Sequence, residues 1–418
     1  TVTYTINSGS DLTVDIAAGS SETVSAPTGT AGTFIYSLKS VAYQTAPSCS
    51  NAITGTATVI VRPTPVATIN GTTSVCKNDG APDITFTNPQ TLPIIVTYKI
   101  NSGSNLTINV PASGSNTVSA PTGTIGSFVY SLVSVVYQNA PTCSNTISGS
   151  ATVTVRPIPT ATIAGNTSVC KDGTTPDITF TNPQAFPVTV TYTINSGSDL
   201  TVDIAASSSA TVSAPTGTAG TFIYSLKSVV YQTAPSCSNT LTGTATVTVR
   251  PTPTATINGT TSVCKDGTSP NITFTNPQAL PITVTYKINS GSNLTISVPA
   301  SGSNTVSAPT GTAGSFVYSL VSVVYQNVPI CSNTVSGSAT ITVNPLPVPT
   351  IDGPASVCIG STGNVYTTEA GMTNYTWNIS AGGVKTAGGG TGDNTITITW
   401  NTAVTQTVSV NYTDLNGC

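Results

Sequence analysis

Nine cysteines are the residues of this chain best suited to chemistry. Cys49, Cys143, Cys237 and Cys331 form one series and Cys76, Cys170, Cys264 and Cys358 a second, each with a step of 94 residues, and Cys418 stands last. Such a set admits a disulfide, a metal or a free-thiol reading, and spacing separates them. A tetrahedral zinc site draws on four nitrogen or sulfur ligands. Here there is no CxxC, histidine is absent, and each copy offers two sulfurs, so disulfides are the expectation and no metal or cofactor is assigned. Nucleophilic catalysis would lack a histidine base. No serine or threonine stands out either, so no catalytic residue is named and the chain reads as a non-enzyme.

The carboxylates are weaker candidates. Asp11 and Asp15, like Asp199 and Asp203, lie four apart on what should be one strand face, a spacing open to calcium binding or to paired acid–base work. In the alternate copies these positions become Asn105 and Asn109, then Asn293 and Ser297, which favours a solubilising surface. Asp79, Asp172 and Asp266 follow a Cys-Lys pair in a Gly-containing turn, where Asp supports the turn itself. Tyr43, Tyr137, Tyr231 and Tyr325 recur in Tyr-Gln pairs. Exposed, they would suit sugars; packing near a disulfide is the reading preferred. The sequon Asn105-Leu106-Thr107 is what so Asn- and Thr-rich a chain yields by chance.

Charged residues make up only 6% of the 418 residues and the net charge is −3. With no basic stripe and no polybasic run, neither nucleic acid nor a lipid surface is an expected partner. No apolar run nears the ~20 residues that span a bilayer, so no direct membrane insertion is expected. Disordered segments lack β-branched and aromatic residues, whereas Val, Ile, Thr and Tyr recur here in alternating runs. Thr1-Val2-Thr3-Tyr4-Thr5-Ile6 already reads as the middle of a strand without a signal peptide, as in a window cut from a longer protein.

The elements that must position the cysteines come from the 94-residue period. Its phase is set by Arg62-Pro63-Thr64-Pro65, Arg156-Pro157-Ile158-Pro159, Arg250-Pro251-Thr252-Pro253 and Asn344-Pro345-Leu346-Pro347, because proline lacks the N–H that a central strand needs. After Pro345 the sequence leaves the repeat pattern. The expected units are 1–62 (a repeat without its first strands), 63–156, 157–250, 251–344, and a different domain over 345–418. Within 157–250, seven strands are expected at 160–169, 177–181, 188–194, 200–204, 210–213, 221–231 and 244–249. In the sixth, Phe222, Tyr224 and Leu226 should share the core face. Seven short strands in a repeat of this length suit an immunoglobulin-like sandwich. The fold class is therefore all-β: tandem sandwiches stacked end to end as an extended array.

Two pairings of the sulfurs follow from that picture: Cys76 with Cys143 inside a unit, or Cys49 with Cys76 across a junction. Two strands of ~10 residues would hold the second pair tens of Å apart, against the ~7 Å limit between bridged Cα atoms. The expectation is Cys76 with Cys143, Cys170 with Cys237, Cys264 with Cys331 and Cys358 with Cys418, leaving Cys49 unpaired. Disulfides imply an oxidising, extracellular compartment.

A longer period overlies the first. Residues 1–62 differ from 95–156 at 21 positions but from 189–250 at 6, and 95–156 differs from 283–344 at 8. The duplicated unit is thus a doublet of 188 residues, with Lys39 and Lys227 replaced by Val133 and Val321 in alternate copies. Alternation would limit swapping between adjacent units; recent duplication leaves the same pattern.

The strings Gly-Thr-Phe-Ile-Tyr-Ser-Leu (32–38), Gly-Ser-Ala-Thr-Val-Thr-Val-Arg-Pro (149–157) and Thr-Ser-Val-Cys-Lys-Asp-Gly (261–267) resemble repeats of the giant SprB-type surface adhesins of gliding Bacteroidota. The segment from Gly353-Pro354-Ala355-Ser356-Val357-Cys358 through Asn374-Tyr375-Thr376-Trp377 and Thr399-Trp400-Asn401 to Asn416-Gly417-Cys418 resembles the PKD-like domains of the same proteins, ending before a last strand. The resemblance implies type IX secretion, placement at the outer-membrane surface, contact with a substratum or polysaccharide through other parts of the protein, and a stalk or filament role in gliding. The alternative is a glycan- or protein-binding repeat of a secreted protein.

Overall fold

The computed structural model describes all 418 residues and is built of strands, with no helix. Repeat 157–250 shows why. Val188–Ile194 reads VTVTYTI, and its alternation sends Val188, Val190 and Tyr192 into the core while Thr189 and Thr191 stay half-buried. Two sheets enclose that core. One has six strands: Thr167–Cys170, Thr244–Arg250, Gly220–Tyr231, Val188–Ile194 and Leu200–Ile204 in that order, with Ser238–Thr240 also on Gly220–Tyr231. The other runs Thr162–Ala164, Asp177–Asn182, Ser208–Ser213. Repeats 63–156 and 251–344 carry the same two sheets.

The first strand differs from expectation. It breaks into Thr162–Ala164 and Thr167–Cys170, one in each sheet. The break is at Gly165, whose φ of +129° suits glycine and where an added Cβ would meet the Asp177 carbonyl oxygen at 2.8 Å. Ser238–Thr240 has no alternation to betray it; it forms by pairing with Ser228, Val229 and Val230.

In Gly220–Tyr231, Tyr224 and Leu226 are buried and Phe222 half-buried. A bulge at Lys227 then shifts the face, so Val229 and Tyr231 point inward while Lys227 stays in solvent. Residues 2–61 form a single five-stranded sheet, with Tyr4 buried but Leu38 and Val59 exposed. Toward the C-terminus, Asn364–Thr367, Thr395–Trp400 and Gly383–Gly388 form one sheet and Thr373–Ile379 with Val408–Thr413 another, around Tyr366, Ile396, Ile398 and Trp400.

Strand direction decides where the sulfurs lie. Thr73–Cys76 runs parallel to Ser150–Arg156, with Cys76 opposite Arg156, so both end at the C-terminal pole of their repeat. The loop carrying Cys143 starts after Tyr137, opposite Ile94, at the other pole, where Asn145 also donates to the Pro65 carbonyl. Cys76 and Cys143 therefore sit at opposite ends of one repeat, and the expected pairings inside units do not form. The sulfurs pair one repeat further on: Cys76 with Cys237, Cys170 with Cys331 and Cys264 with Cys418. Cys143 and Cys358, expected in bridges, are unpaired, as is Cys49.

Candidate functional site at the junction between repeats

Because Cys76 and Arg156 end adjacent strands, one repeat presents a thiol and a guanidinium side by side to the next. Both grip the same loop. Cys76 reaches Cys237 with Cα atoms 5.6 Å apart and packs against the core of 157–250. Arg156 donates from Nη1 to the Thr233 carbonyl oxygen and hydroxyl, each at 3.1 Å, and its guanidinium lies 4.3 Å from the Phe186 ring centroid. At the next junction Arg250 donates to the carbonyls of Asn327 (2.7 Å) and Pro329 (3.3 Å) beside the bridge from Cys170 to Cys331. Arg62 makes the same contacts with Asn139 and Pro141. Asn344 takes the arginine's place at the last junction, where Cys264 holds Cys418.

The gripped loop is fixed from below. It holds a cis Ala234-Pro235 peptide, and the Cys237 N–H donates to the Pro235 carbonyl while the Tyr231 N–H donates to that of Cys237. Cys237 is 3% exposed. Beside it, the buried Asn182 donates to the Phe186 and Ala205 carbonyls and accepts from the Gln184 N–H. A buried amide that meets three partners is stabilising; one that loses them is costly. Burial pushes the Tyr231 phenol above its ordinary range, with the Arg156 charge partly opposing.

The other candidates separate. Asp11 pairs with Lys39 (2.6 Å) and Asp199 with Lys227 (2.7 Å), both in solvent, and the alternate copies replace both members together. Asp15 accepts from the Thr1 hydroxyl, which holds its carboxyl below the usual range, and Asp203 accepts from Thr189. Asp172 and Asp266 occupy left-handed turn positions at φ +60°, a place that Asn78 takes in the first complete repeat, displacing Asp79 by one residue. Tyr137, Tyr231 and Tyr325 are buried beneath the loops, whereas Tyr43 is 73% exposed. Asn105 is exposed. The structure holds no group of three or more His, Cys, Asp or Glu side chains placed to bind a metal. Sequence reasoning used the arginines only as markers of the proline junctions. Their recurrence every 94 residues, in a chain with 11 basic residues, was the available signal.

The segment beyond the last junction, the one without an arginine, matches a known domain family. Residues 344–418 match the family of PKD-like domains. In this PKD-like domain the Trp400 indole donates to the Tyr366 hydroxyl (3.1 Å), which donates to the Pro354 carbonyl. A groove of about 830 Å³ runs past Pro354, Val357, Tyr366, Trp400, Val404 and Val408. Glu369 accepts from the Thr350 N–H and hydroxyl and from Thr368, which together hold its carboxyl down to about 2.

No curated protein sequence matches the chain. Among solved structures, a Ca²⁺-stabilized adhesin of an Antarctic bacterium that binds ice is 19% identical (TM-score 0.35, 84% of this chain, 99% of that one). Invasin, a bacterial integrin-binding protein, is 16% identical (TM-score 0.33, 84% and 77%). A tetra-tandem repeat from the extending region of a large adhesion protein is 15% identical (TM-score 0.26, 84% and 89%).

Proposed function

We propose that the chain is a stalk segment of a large cell-surface adhesin, holding a binding region away from the cell. The observation that carries this reading is the junction: each complete repeat receives the chain at one pole, returns it at the other, and is bonded to its successor there by a disulfide. The units are taken as 63–156, 157–250 and 251–344, with 1–62 and 345–418 at the two ends. At roughly 35 to 45 Å per unit, set by strands of about ten residues, four units reach about 150 Å. Small-angle scattering of the oxidised chain, with its fifth unit, is expected to give a rod of roughly 150 to 200 Å, and a compact globule would remove the stalk reading.

The finer reading follows the resemblance to gliding-motility adhesins: export by type IX secretion, retention at the outer-membrane surface, and attachment to substratum or polysaccharide through other parts of the polypeptide. In a gliding host, loss of the type IX apparatus should abolish surface labelling by an antibody to these repeats. A glycan- or protein-binding role is the second reading, and the groove beside Trp400 is the feature in its favour. Binding of the intact chain on a glycan array, lost in a substitution of the exposed groove residue, Val404→Glu, that leaves thermal unfolding unchanged, would support it.

A further inference from the structure

The three bridges do more than join neighbours, because of which strands they join. In 63–156 the segment 63–76 crosses the repeat from N-terminal to C-terminal pole, and in 157–250 the segment 237–250 does the same. The bridge from Cys76 to Cys237 connects the foot of the first to the head of the second. From Arg250 the backbone enters 251–264, crosses the third repeat, and is bonded from Cys264 to Cys418. One covalent line therefore runs 63–76, 237–264, 418, through the strands Thr68–Asn70, Thr73–Cys76, Ser238–Thr240, Thr244–Arg250, Thr256–Asn258 and Thr261–Cys264 and the short links between them. A second line runs 143–170, 331–358, through the bridge from Cys170 to Cys331. In each complete repeat the two lines lie side by side as the parallel strand pair: Thr73–Cys76 with Ser150–Arg156, Thr167–Cys170 with Thr244–Arg250, and Thr261–Cys264 with Ser338–Asn344.

We infer that these repeats are a two-line covalent tether that cannot be lengthened by unfolding. Across the second and third repeats the first line needs 28 residues, 237–264, where the backbone spans 188. Of those 28, the residues of Ser238–Thr240, Thr244–Arg250, Thr256–Asn258 and Thr261–Cys264 are already in strands and the rest form short links, so tension has little slack to draw out. The remaining strands of each repeat bridge one line to the other and stay outside the path of the load. A force that unravels an ordinary sandwich to its full contour must here break a disulfide. The inference deepens the stalk reading, from which it takes only the direction of load; a compact shape in scattering would sink that reading without touching the measurement below.

Pulling the intact chain between residue 1 and Cys418, by optical or magnetic tweezers, tests it. The oxidised path is 1–76, 237–264 and 418, and at ~3.4 Å per residue its contour is about 36 nm. After dithiothreitol the same molecule should reach about 140 nm, a roughly fourfold gain. In Cys237→Ser the shortest route passes 1–170, then 331 back to 264, then 418, giving about 80 nm. Bridges inside repeats would instead leave an oxidised contour of about 55 nm. An oxidised length near 55 or 140 nm overturns the inference, and one near 36 nm that grows on reduction establishes it.

Discussion

Two buried polar groups of each repeat differ in worth at the scale of the residue. The hydroxyl of Tyr224, like those of Tyr130 and Tyr318, is buried without a hydrogen-bond partner. An unsatisfied buried hydroxyl costs about 1–3 kcal/mol, while the ring still contributes packing against Tyr192, 6.3 Å away. Tyr224→Phe is therefore expected to leave stability unchanged or raise it by up to about 2 kcal/mol in urea unfolding, and a loss of that size would show that the hydroxyl has a partner. Asn182 is the opposite case, since its amide satisfies two carbonyls and one N–H. Asn182→Ala should cost about 2–4 kcal/mol in the same assay and loosen the loop on which Phe186 meets Arg156. Neither contrast is legible in sequence, because Tyr224 and Asn182 each sit in an alternating strand and only the neighbours decide which polar atom is met.

Most elements of 157–250 were legible because a two-residue alternation and Gly/Pro/Asn breaks carry the signal. Val188–Ile194 and Leu200–Ile204 lie where alternation puts them. The first strand was misread as continuous because Val and Thr persist on both sides of Gly165, and only its positive φ moves the chain from one sheet to the other. Gly165→Ala should destabilise the repeat by about 2–4 kcal/mol, since the methyl meets both the Asp177 carbonyl and the Ile178 backbone. An Ala variant as stable as the parent would mean that the kink has another cause. The pairing error has the same root. Alternation shows which face a side chain takes but not which pole a strand ends at. Once strand 73–76 is known to run parallel to strand 150–156, Cys76 must leave its own repeat to find a partner. Arg156→Ala, which removes the clamp but keeps the bridge, is expected to leave thermal unfolding nearly unchanged while hydrogen exchange quickens at Thr233 and the loop around it.

Across the whole chain, burial raises the phenols of Tyr98, Tyr130, Tyr137 and their counterparts in the next two repeats. The unfolded chain ionises these groups near pH 10 while the fold keeps them neutral. Their contribution is therefore complete below about pH 10 and is lost as pH rises through the folded values, so thermal midpoints should fall steeply between about pH 10 and 12. A flat profile there would contradict the buried placement. The array itself stands on the bridges between repeats, each of which closes a loop of about 160 residues and contributes roughly 5 kcal/mol in the chain-entropy account. Trypsin, which spares Arg62, Arg156 and Arg250 because proline follows each, reads their connectivity directly. Digestion of the unreduced, thiol-blocked chain is predicted to release two separate disulfide-linked complexes by mass spectrometry: peptides 40–77, 228–265 and 386–418 in one, and 100–171 with 288–385 in the other. A single complex of all five peptides, as bridges inside each repeat would give, would contradict the account.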